Sequence, residues 1–210
     1  GNKFNYDRPT NNKGFAWEYE EYVKEVTKNC PEGKTVGYGK EIMQCFRPDK
    51  IPVLSTLAKE FAVCTRWFSS VPGQTWPNRC YLHAGTSEGE VDIHLKPYCA
   101  KTIFELFNEN NNVPWKVYHD GVTHLMVYGA LSEDNNRFNF KSVKRLYDDI
   151  KDNKLPAYSF VEPDHFGIDS TSQHPNNKTN AKGKRDVLRA EKLSADIYNA
   201  LITRPDVFNK

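Results

Sequence analysis

The stretch SVKRLYDDIKDNKLPAYSFVE, residues 142–162, decides the fold because a helical pattern, a turn and a strand pattern follow one another within it. Four apolar residues recur on one helical face and predict a helix over 142–151, which Asn153 and Pro156 end. They are Val143, Leu146, Tyr147 and Ile150. Residues 158–162 are predicted to form a strand. A helix that leads directly into a strand is typical of an α/β fold.

The same alternation extends along the rest of the chain. Thr102 and Glu105 form a capping-box pattern that opens a helix through Phe107, and residues 113–119 are the next predicted strand. Further predicted elements are helices over 15–23, over 49–61 with Asp49 as N-cap, and over 186–203, a strand over 62–68, and a long loop over 163–185. We therefore predict an α/β fold in which helices flank a mostly parallel sheet.

Size and charge narrow the possible functions. The chain has 210 residues and a net charge of +2, with Lys and Arg interspersed among Asp and Glu. This balance gives no reason to expect a nucleic-acid-binding surface. No apolar stretch approaches the roughly 20 residues that cross a bilayer. We predict one domain, with residues 1–40 as an N-terminal arm or loop region and residues 41–210 as the central part.

The five cysteines lack Cys-x-x-Cys spacing, so we do not expect a zinc site. One disulfide among Cys30, Cys45 and Cys99 is compatible with an oxidising compartment, and the sequence leaves the redox state open. Cys64 lies in an apolar run and is predicted to be a buried thiol.

Thr75 lies in the run VPGQTWPNR, residues 71–79, between a Pro-Gly turn and the first turn of a predicted helix. A helix start offers unpaired backbone N–H groups and the positive end of the dipole, so a phosphate can bind within reach of this hydroxyl. The alternative interpretation is that Thr75 is only the N-cap. The local pattern leaves both open.

Two longer blocks favour the first interpretation. Residues 43–87 contain the VPGQTWPNR run, and LPAYSFVEP at 155–163, QHP at 173–175 and ADIYNAL at 195–201 follow in order. Together they resemble the bacterial-type phosphoesterase family, which contains phosphatidylcholine-cleaving phospholipases C and related acid phosphatases. That family belongs to the alkaline-phosphatase-like superfamily. The resemblance implies that this chain forms part of an alkaline-phosphatase-like core.

The resemblance also implies roles for individual residues. Thr75 matches the metal-activated nucleophile of the Thr-x-Pro-Asn-Arg motif, so its oxygen would also be a metal ligand, and it would form a phospho-threonine intermediate. Asn78 and Arg79 become candidates for binding phosphate oxygens. The alternatives are a helix-surface position for Asn78 and pairing with a carboxylate for Arg79. His174, within QHP, is a candidate general acid or metal ligand.

Weaker site candidates lie at the end of the strand predicted at 158–162 and just beyond it. They are Glu162, Asp164 and His165, and for Glu162 a structural charge is an equally good interpretation. Because ligands of parallel sheets collect at the carboxyl ends of strands, this segment and Thr75 are predicted to meet there. His83 is predicted to pack in the interior, and His94, His119 and His124 to be ordinary surface or core residues.

Three aromatic residues flank the predicted site and are first expected to belong to the core. They are Trp67, Phe68 and Trp76. The alternative interpretation is a cation–π contact with a quaternary ammonium group of a choline-phosphate substrate.

The family pattern also includes two flanking segments that carry metal ligands, Glu-Asn-x-Ser-Phe-Asp and Asp-Glu-x-Gly-Gly, and neither occurs in these 210 residues. We therefore expect a fragment of a metal-dependent phosphoric ester hydrolase whose divalent metal ion takes its other ligands from outside this chain. A companion chain that completes the site is one alternative. A noncatalytic phosphate-binding or structural module is another. The resemblance favours a phosphate ester substrate, phospholipids included, and a secreted, periplasmic or endomembrane, lysosomal-type compartment.

Overall fold

The computed structural model describes residues 13–28, 39–110, 112–165, 169–174 and 187–209. Contacts divide the chain into two compact units, Gly1–Lys50 and Ile51–Lys210. None of the helices within the described ranges has the length and apolarity that crossing a membrane would need. The boundary predicted after residue 40 remains a prediction.

The first unit contains a pair of helices. They are α1 (Lys13–Thr27) and α2 (Gly39–Ile42), followed by a 3₁₀ turn at Pro48–Lys50. The backbone N–H of Gly39 donates to Oε1 of Glu20 at 3.0 Å. A Cβ at Gly39 would lie 2.5 Å from the carbonyl oxygen of Ala16, so only glycine lets α2 approach α1 this closely.

The second unit has α/β architecture. Its elements are α3 (Pro52–Glu60), α4 (Thr75–Ala84), α5 (Ile103–Glu109), β1 (Trp115–His119), a 3₁₀ turn (His124–Val127), α6 (Gly129–Ser132), α7 (Asp134–Arg137), β2 (Phe140–Lys141), α8 (Val143–Lys151), β3 (Tyr158–Glu162), α9 (Val187–Ile202) and α10 (Pro205–Phe208). The three strands are parallel, in the order β2-β1-β3. Trp115 pairs with Tyr158 and His119 with Glu162, so β1 and β3 end together.

Alternate residues of β1 face two different hydrophobic clusters because side chains alternate along a strand. Trp115 and Val117 pack with residues from α4 and α5, which include Cys80 and Phe104. Tyr118 packs on the other face against α8 and α9. Helices therefore cover both faces of the sheet, as predicted.

A buried carboxylate anchors α8 to the sheet. Asp149 is fully buried and accepts hydrogen bonds from Lys116 Nζ at 2.5 Å and Tyr118 Oη at 2.8 Å. Burial by itself would raise the pKa of Asp149, but these hydrogen bonds and the nearby cations outweigh it and lower the pKa.

A second buried carboxylate, Glu191 of α9, replaces a conventional cap on α3. Its oxygens accept the backbone N–H groups of Val53 at 2.6 Å and Leu54 at 3.1 Å. The predicted N-cap, Asp49, is wrong: the N-cap residue is Ile51, which makes no side-chain cap bond. Glu191 supplies the acceptor from across the fold instead.

Most predicted elements are present, with small shifts at their ends. The strand predicted at 158–162 is β3, the helix predicted over 142–151 is α8 with Ser142 as N-cap, and the capping box at Thr102 and Glu105 opens α5. The strand predicted at 62–68 is wrong. Those residues are irregular and exposed, and among the described strand pairings none involves them.

Candidate active site

Thr75 is the first residue of α4, and it is exposed. The N-cap is Gln74, in extended backbone with no side-chain cap bond, so the interpretation of Thr75 as the N-cap is wrong. Thr75 therefore lies at the helix end where backbone N–H groups lack partners within the helix. An anion that approaches Thr75 therefore meets the positive end of the dipole of α4.

Asn78 holds the turn that leads into Thr75. Its Oδ1 accepts the backbone N–H of Val71 at 3.1 Å, while its Nδ2 donates to the carbonyl oxygens of Val71 at 3.1 Å and Gln74 at 2.9 Å. Asn78 is half-buried. Both amide donors are thus engaged by the turn, and the predicted phosphate contact would require breaking at least one of these bonds.

Arg79 lies four residues after Thr75, on the same face of α4. Its Nη1 pairs with Oε1 of Glu162, the last residue of β3. The Glu162 side chain is 1% exposed and that of Arg79 is 22% exposed. This pair confirms that the two sequence blocks meet at the carboxyl end of the sheet, and it is the carboxylate pairing that the sequence offered as an alternative for Arg79.

Glu162 is ionised in spite of its burial. Burial alone would raise its pKa, but hydrogen bonds from His165 and Thr123 and the guanidinium of Arg79 outweigh it and lower the pKa to about 2. The Oγ1 of Thr123 donates to Oε2 at 2.6 Å. A carboxylate with so low a pKa is an anchor for its neighbours rather than a proton donor.

His165 connects Glu162 to the next loop. Its Nε2 lies 3.2 Å from Oε1 of Glu162, and its Nδ1 lies 3.3 Å from Oγ of Ser172. Since an ionised carboxylate can only accept, Nε2 is the donor in the first bond. His165 is thereby brought to the predicted site.

Asp164 ties that loop together through its backbone. Its N–H donates to Oγ1 of Thr171 at 3.0 Å, and its carbonyl oxygen accepts from the N–H of Thr171 at 3.1 Å. The Asp164 carboxylate lies against Gly121, where a Cβ would be 2.5 Å from Oδ1. The described contacts therefore give Asp164 a structural part, and its place among the weaker site candidates stays a prediction.

His174 is exposed at the end of the same loop. Its backbone N–H donates to Oγ of Ser172 at 3.1 Å, and the neighbouring Gln173 side chain donates to Oε1 of Glu191 at 3.0 Å. The loop is thus held by a bond between residues 172 and 174 and by the side chain of Gln173. The role of His174 as a general acid stays a prediction.

Two buried histidines lie near Arg79. His83 and His124 have pKa values lowered to about 4, first by burial and second by the positive charge of Arg79. Both are therefore neutral near neutral pH. His83 packs between Phe104 and Phe160, as predicted, and His124 contacts the ring of Trp76 at 5.1 Å between centroids.

Several residues expected in the core are at the surface. Trp67 and Phe68 are 76% and 75% exposed, and Cys64 is exposed too, because residues 62–68 do not join the sheet. Trp76 is half-buried. Cys45, Cys64, Cys80 and Cys99 are free thiols, so the disulfide that the sequence left open does not form between Cys45 and Cys99 in this structure; Cys30 lies outside the described residues.

A divalent metal ion would need several donor side chains close together. Within the described ranges, no group of three or more His, Cys, Asp or Glu side chains is placed to hold a metal. Glu162 is already occupied by Arg79, Thr123 and His165. The described residues do not fit a complete metal site, and Thr75 alone cannot form one.

Thr123 and Ser172 are parts of the site that sequence patterns did not identify. Thr123 follows β1 by four residues, and its place just beyond a strand end is the signal that points to it. Ser172 is 5% exposed within a polar loop, and only the fold reveals that its hydroxyl lies between His165 and His174.

Comparison of the sequence with known proteins identifies its family. The model of the Phosphoesterase family matches residues 6–210. The chain belongs to the Phosphoesterase family. Non-specific phospholipases C3 and C6 of Arabidopsis thaliana are 35% and 33% identical to it, over 79% and 78% of this chain. An acid phosphatase of Aspergillus niger is 26% identical over 55% of the chain.

This phosphoesterase chain is much shorter than those relatives. It covers 32% of the length of phospholipase C3, 31% of C6 and 33% of the acid phosphatase. The chain therefore spans about a third of the curated relatives that it matches. The α/β unit with its parallel sheet is consistent with part of an alkaline-phosphatase-like core.

Proposed function

We propose that the protein containing this chain hydrolyses phosphoric esters and that Thr75 is its nucleophile. The observation that carries this proposal is an exposed hydroxyl at the first position of α4, on a turn held by Asn78 and a helix held by the Arg79–Glu162 pair. The membership in the Phosphoesterase family and the names of the relatives, phospholipases C and an acid phosphatase, support the reaction class.

The proposed reaction has two steps. In the first, Oγ1 of Thr75 gives its proton to solvent water and bonds to phosphorus as the phosphorus–oxygen bond to the leaving alcohol breaks in line. His174 donates the proton that the leaving oxygen takes, and it recovers a proton from solvent afterwards. In the second, water attacks phosphorus and the bond to Oγ1 breaks; one proton of that water passes to Oγ1, which restores the hydroxyl and releases phosphate or a phosphomonoester.

We also propose that the whole protein requires a divalent cation. A threonine hydroxyl is a weak nucleophile, and a bound cation supplies Lewis-acid activation. Because the described residues do not hold a complete cation site, the remaining ligands would come from elsewhere in the protein. The requirement is tested by chelation followed by readdition of single divalent metals.

The proposed substrates are phosphate esters, including phospholipids. Nitrophenyl phosphate tests a monoester, and a nitrophenyl ester of phosphorylcholine tests a diester. The full-length protein with added metal is expected to hydrolyse at least one of them. Thr75→Ala is expected to abolish hydrolysis, while Thr203→Ala, at an exposed threonine just after α9, leaves it unchanged. Equal rates for Thr75→Ala and the parent protein would eliminate Thr75 as the nucleophile.

The same experiment decides the second candidate, a noncatalytic phosphate-binding or structural module. The structural bonds already made by the two candidate phosphate-binding residues, Asn78 and Arg79, favour this candidate. Binding of inorganic phosphate without hydrolysis of either ester, in the full-length protein with metal, would establish it in place of the hydrolase.

A further inference from the structure

A continuous series of hydrogen bonds joins the helix that carries Thr75 to the loop that carries His174. It runs from Arg79 to Glu162, from Glu162 to His165, from His165 to Ser172, and from Ser172 to the backbone N–H of His174. The distances after the first pair are 3.2, 3.3 and 3.1 Å. We call this series the His165 relay.

The chemistry of Glu162 fixes the direction of the first bond to His165. Glu162 is an ionised carboxylate, so Nε2 of His165 must donate to it. When the imidazole is neutral, donation from Nε2 makes Nδ1 an acceptor, and Oγ–H of Ser172 lies 3.3 Å from it. The hydroxyl oxygen remains free to accept the N–H of His174. Every donor in the relay therefore meets an acceptor.

Burial limits the access of water to two members of the relay. The side chain of Glu162 is 1% exposed and Ser172 is 5% exposed, whereas the side chain of His165 is 28% exposed. A group left unpaired at Glu162 or Ser172 is poorly solvated, so the loss of a hydrogen bond there affects the groups on both sides. Thr123 adds a further bond to the second oxygen of Glu162.

We propose that His165 and Ser172 are positioning residues, which set the place of His174 relative to Thr75 through Glu162 and Arg79. The effect of these residues on catalysis rests on the proposed function. The hydrogen bonds of the relay do not depend on it. His165 and Ser172 do not touch the reacting atoms in this scheme. They act by keeping the proton donor and the nucleophile in a fixed mutual geometry. Small displacements of these two groups lower the reaction rate strongly.

The first test detects the hydrogen bonds of the relay without any activity measurement. In the full-length protein at mildly alkaline pH, ¹⁵N NMR of the His165 ring is expected to show the tautomer protonated at Nε2. Ser172→Ala is expected to speed amide hydrogen exchange at His174, while Ser194→Ala, which removes a hydroxyl bonded to a helix carbonyl in α9, leaves it unchanged. Protonation at Nδ1 alone, or unchanged exchange in Ser172→Ala, would overturn the relay.

The second test measures kcat and KM of variants at His165 and Ser172. His165→Gln keeps an N–H for Glu162 and removes the acceptor for Ser172, whereas His165→Asn does the reverse. Each of these variants and Ser172→Ala are expected to lower kcat about 10- to 100-fold with little change in KM, at temperatures where circular dichroism shows them folded. The double variant of His165→Gln and Ser172→Ala is expected to lose no more than the single ones, because the links act in series.

The outcomes separate the relay from the proposed function. Parental kcat in the folded His165 and Ser172 variants would overturn the positioning role even if Thr75→Ala is inactive. A parent protein that hydrolyses neither ester would overturn the proposed function and the catalytic meaning of the relay, and the NMR result would still decide whether the hydrogen bonds exist.

Discussion

At the scale of single residues, Asn78 shows how one amide determines the geometry around Thr75. Its three hydrogen bonds to Val71 and Gln74 close the turn just before α4, so the position of the exposed hydroxyl depends on them. This differs from a direct phosphate contact, which the family resemblance implied. The two roles make different predictions for the same substitutions.

Asn78→Asp is expected to destabilise the protein by about 2 kcal/mol, because two amide donors are lost and a carboxylate oxygen faces backbone carbonyls. Calorimetry or chemical denaturation measures this change. Asn110→Asp, which removes one donor from an exposed helix end, serves as the matched control and is expected to cost much less. A stable Asn78→Asp protein with weakened inhibition by inorganic phosphate would instead identify Asn78 as a phosphate ligand.

At the scale of elements, the end of β3 is joined to α4 by the Arg79–Glu162 pair, and this junction is sensitive to pH. The pKa of Glu162 is about 2 in the folded protein and near its ordinary value of about 4.3 when unfolded. A lowered carboxyl pKa contributes stability that is complete above the unfolded value and is lost as pH falls through the folded value. The loss therefore lies between pH about 4.3 and about 2.

The free energy of unfolding is expected to fall by roughly 3 kcal/mol across that window because of Glu162. Denaturation at several pH values should show that Glu162→Gln flattens this part of the curve, whereas Glu109→Gln, at an exposed pair with Lys101, changes it little. His83 and His124 also lower the free energy of unfolding as the pH falls, in an earlier window from about 6.5 to about 4. They do so because burial disfavours their charged forms. An unchanged slope in Glu162→Gln would contradict the account of this junction.

Elements that depend on local patterns were predictable from the sequence, and elements that depend on distant partners were not. The strand β3 and the helix α8 carry their own apolar periodicity and turn signals. Residues 62–68 have a strand-like composition, but a strand needs a paired edge, and that requirement is not visible locally. The two residues of β2 are too few to make a pattern.

The same distinction holds for the candidate site. The start of α4 at Thr75 was predictable because its turn and helix are encoded within a few residues, whereas Thr75 became a candidate nucleophile only through the resemblance of longer blocks. The pairing of Arg79 with Glu162 joins residues 83 positions apart, so the sequence offered it only as an alternative. Ser172 entered the site only through the fold, since a lone hydroxyl in a polar segment has no distinctive spacing, and the only signal for Thr123 was its place beyond a strand end.

At the scale of the whole molecule, the sheet brings three segments to one edge. The turn after β1 supplies Thr123, the end of β3 supplies Glu162 and His165, and α4 brings Thr75 and Arg79. Convergence at the carboxyl ends of parallel strands is the usual place for a ligand in such a fold. The chain spans about a third of the length of its relatives, so the proposed cation requirement and the proposed substrates are to be tested on the complete protein.

The most direct measurement of the central claim is a search for phosphate covalently bound to Thr75. Full-length protein is mixed with nitrophenyl phosphate and divalent metal, quenched with acid within the first turnovers, digested and analysed by mass spectrometry. We expect a phosphorylated peptide containing residues 71–79, with the phosphate on Thr75, and none in Thr75→Ala. Active protein that carries phosphate on another residue, or on no residue at any quench time, would contradict the account.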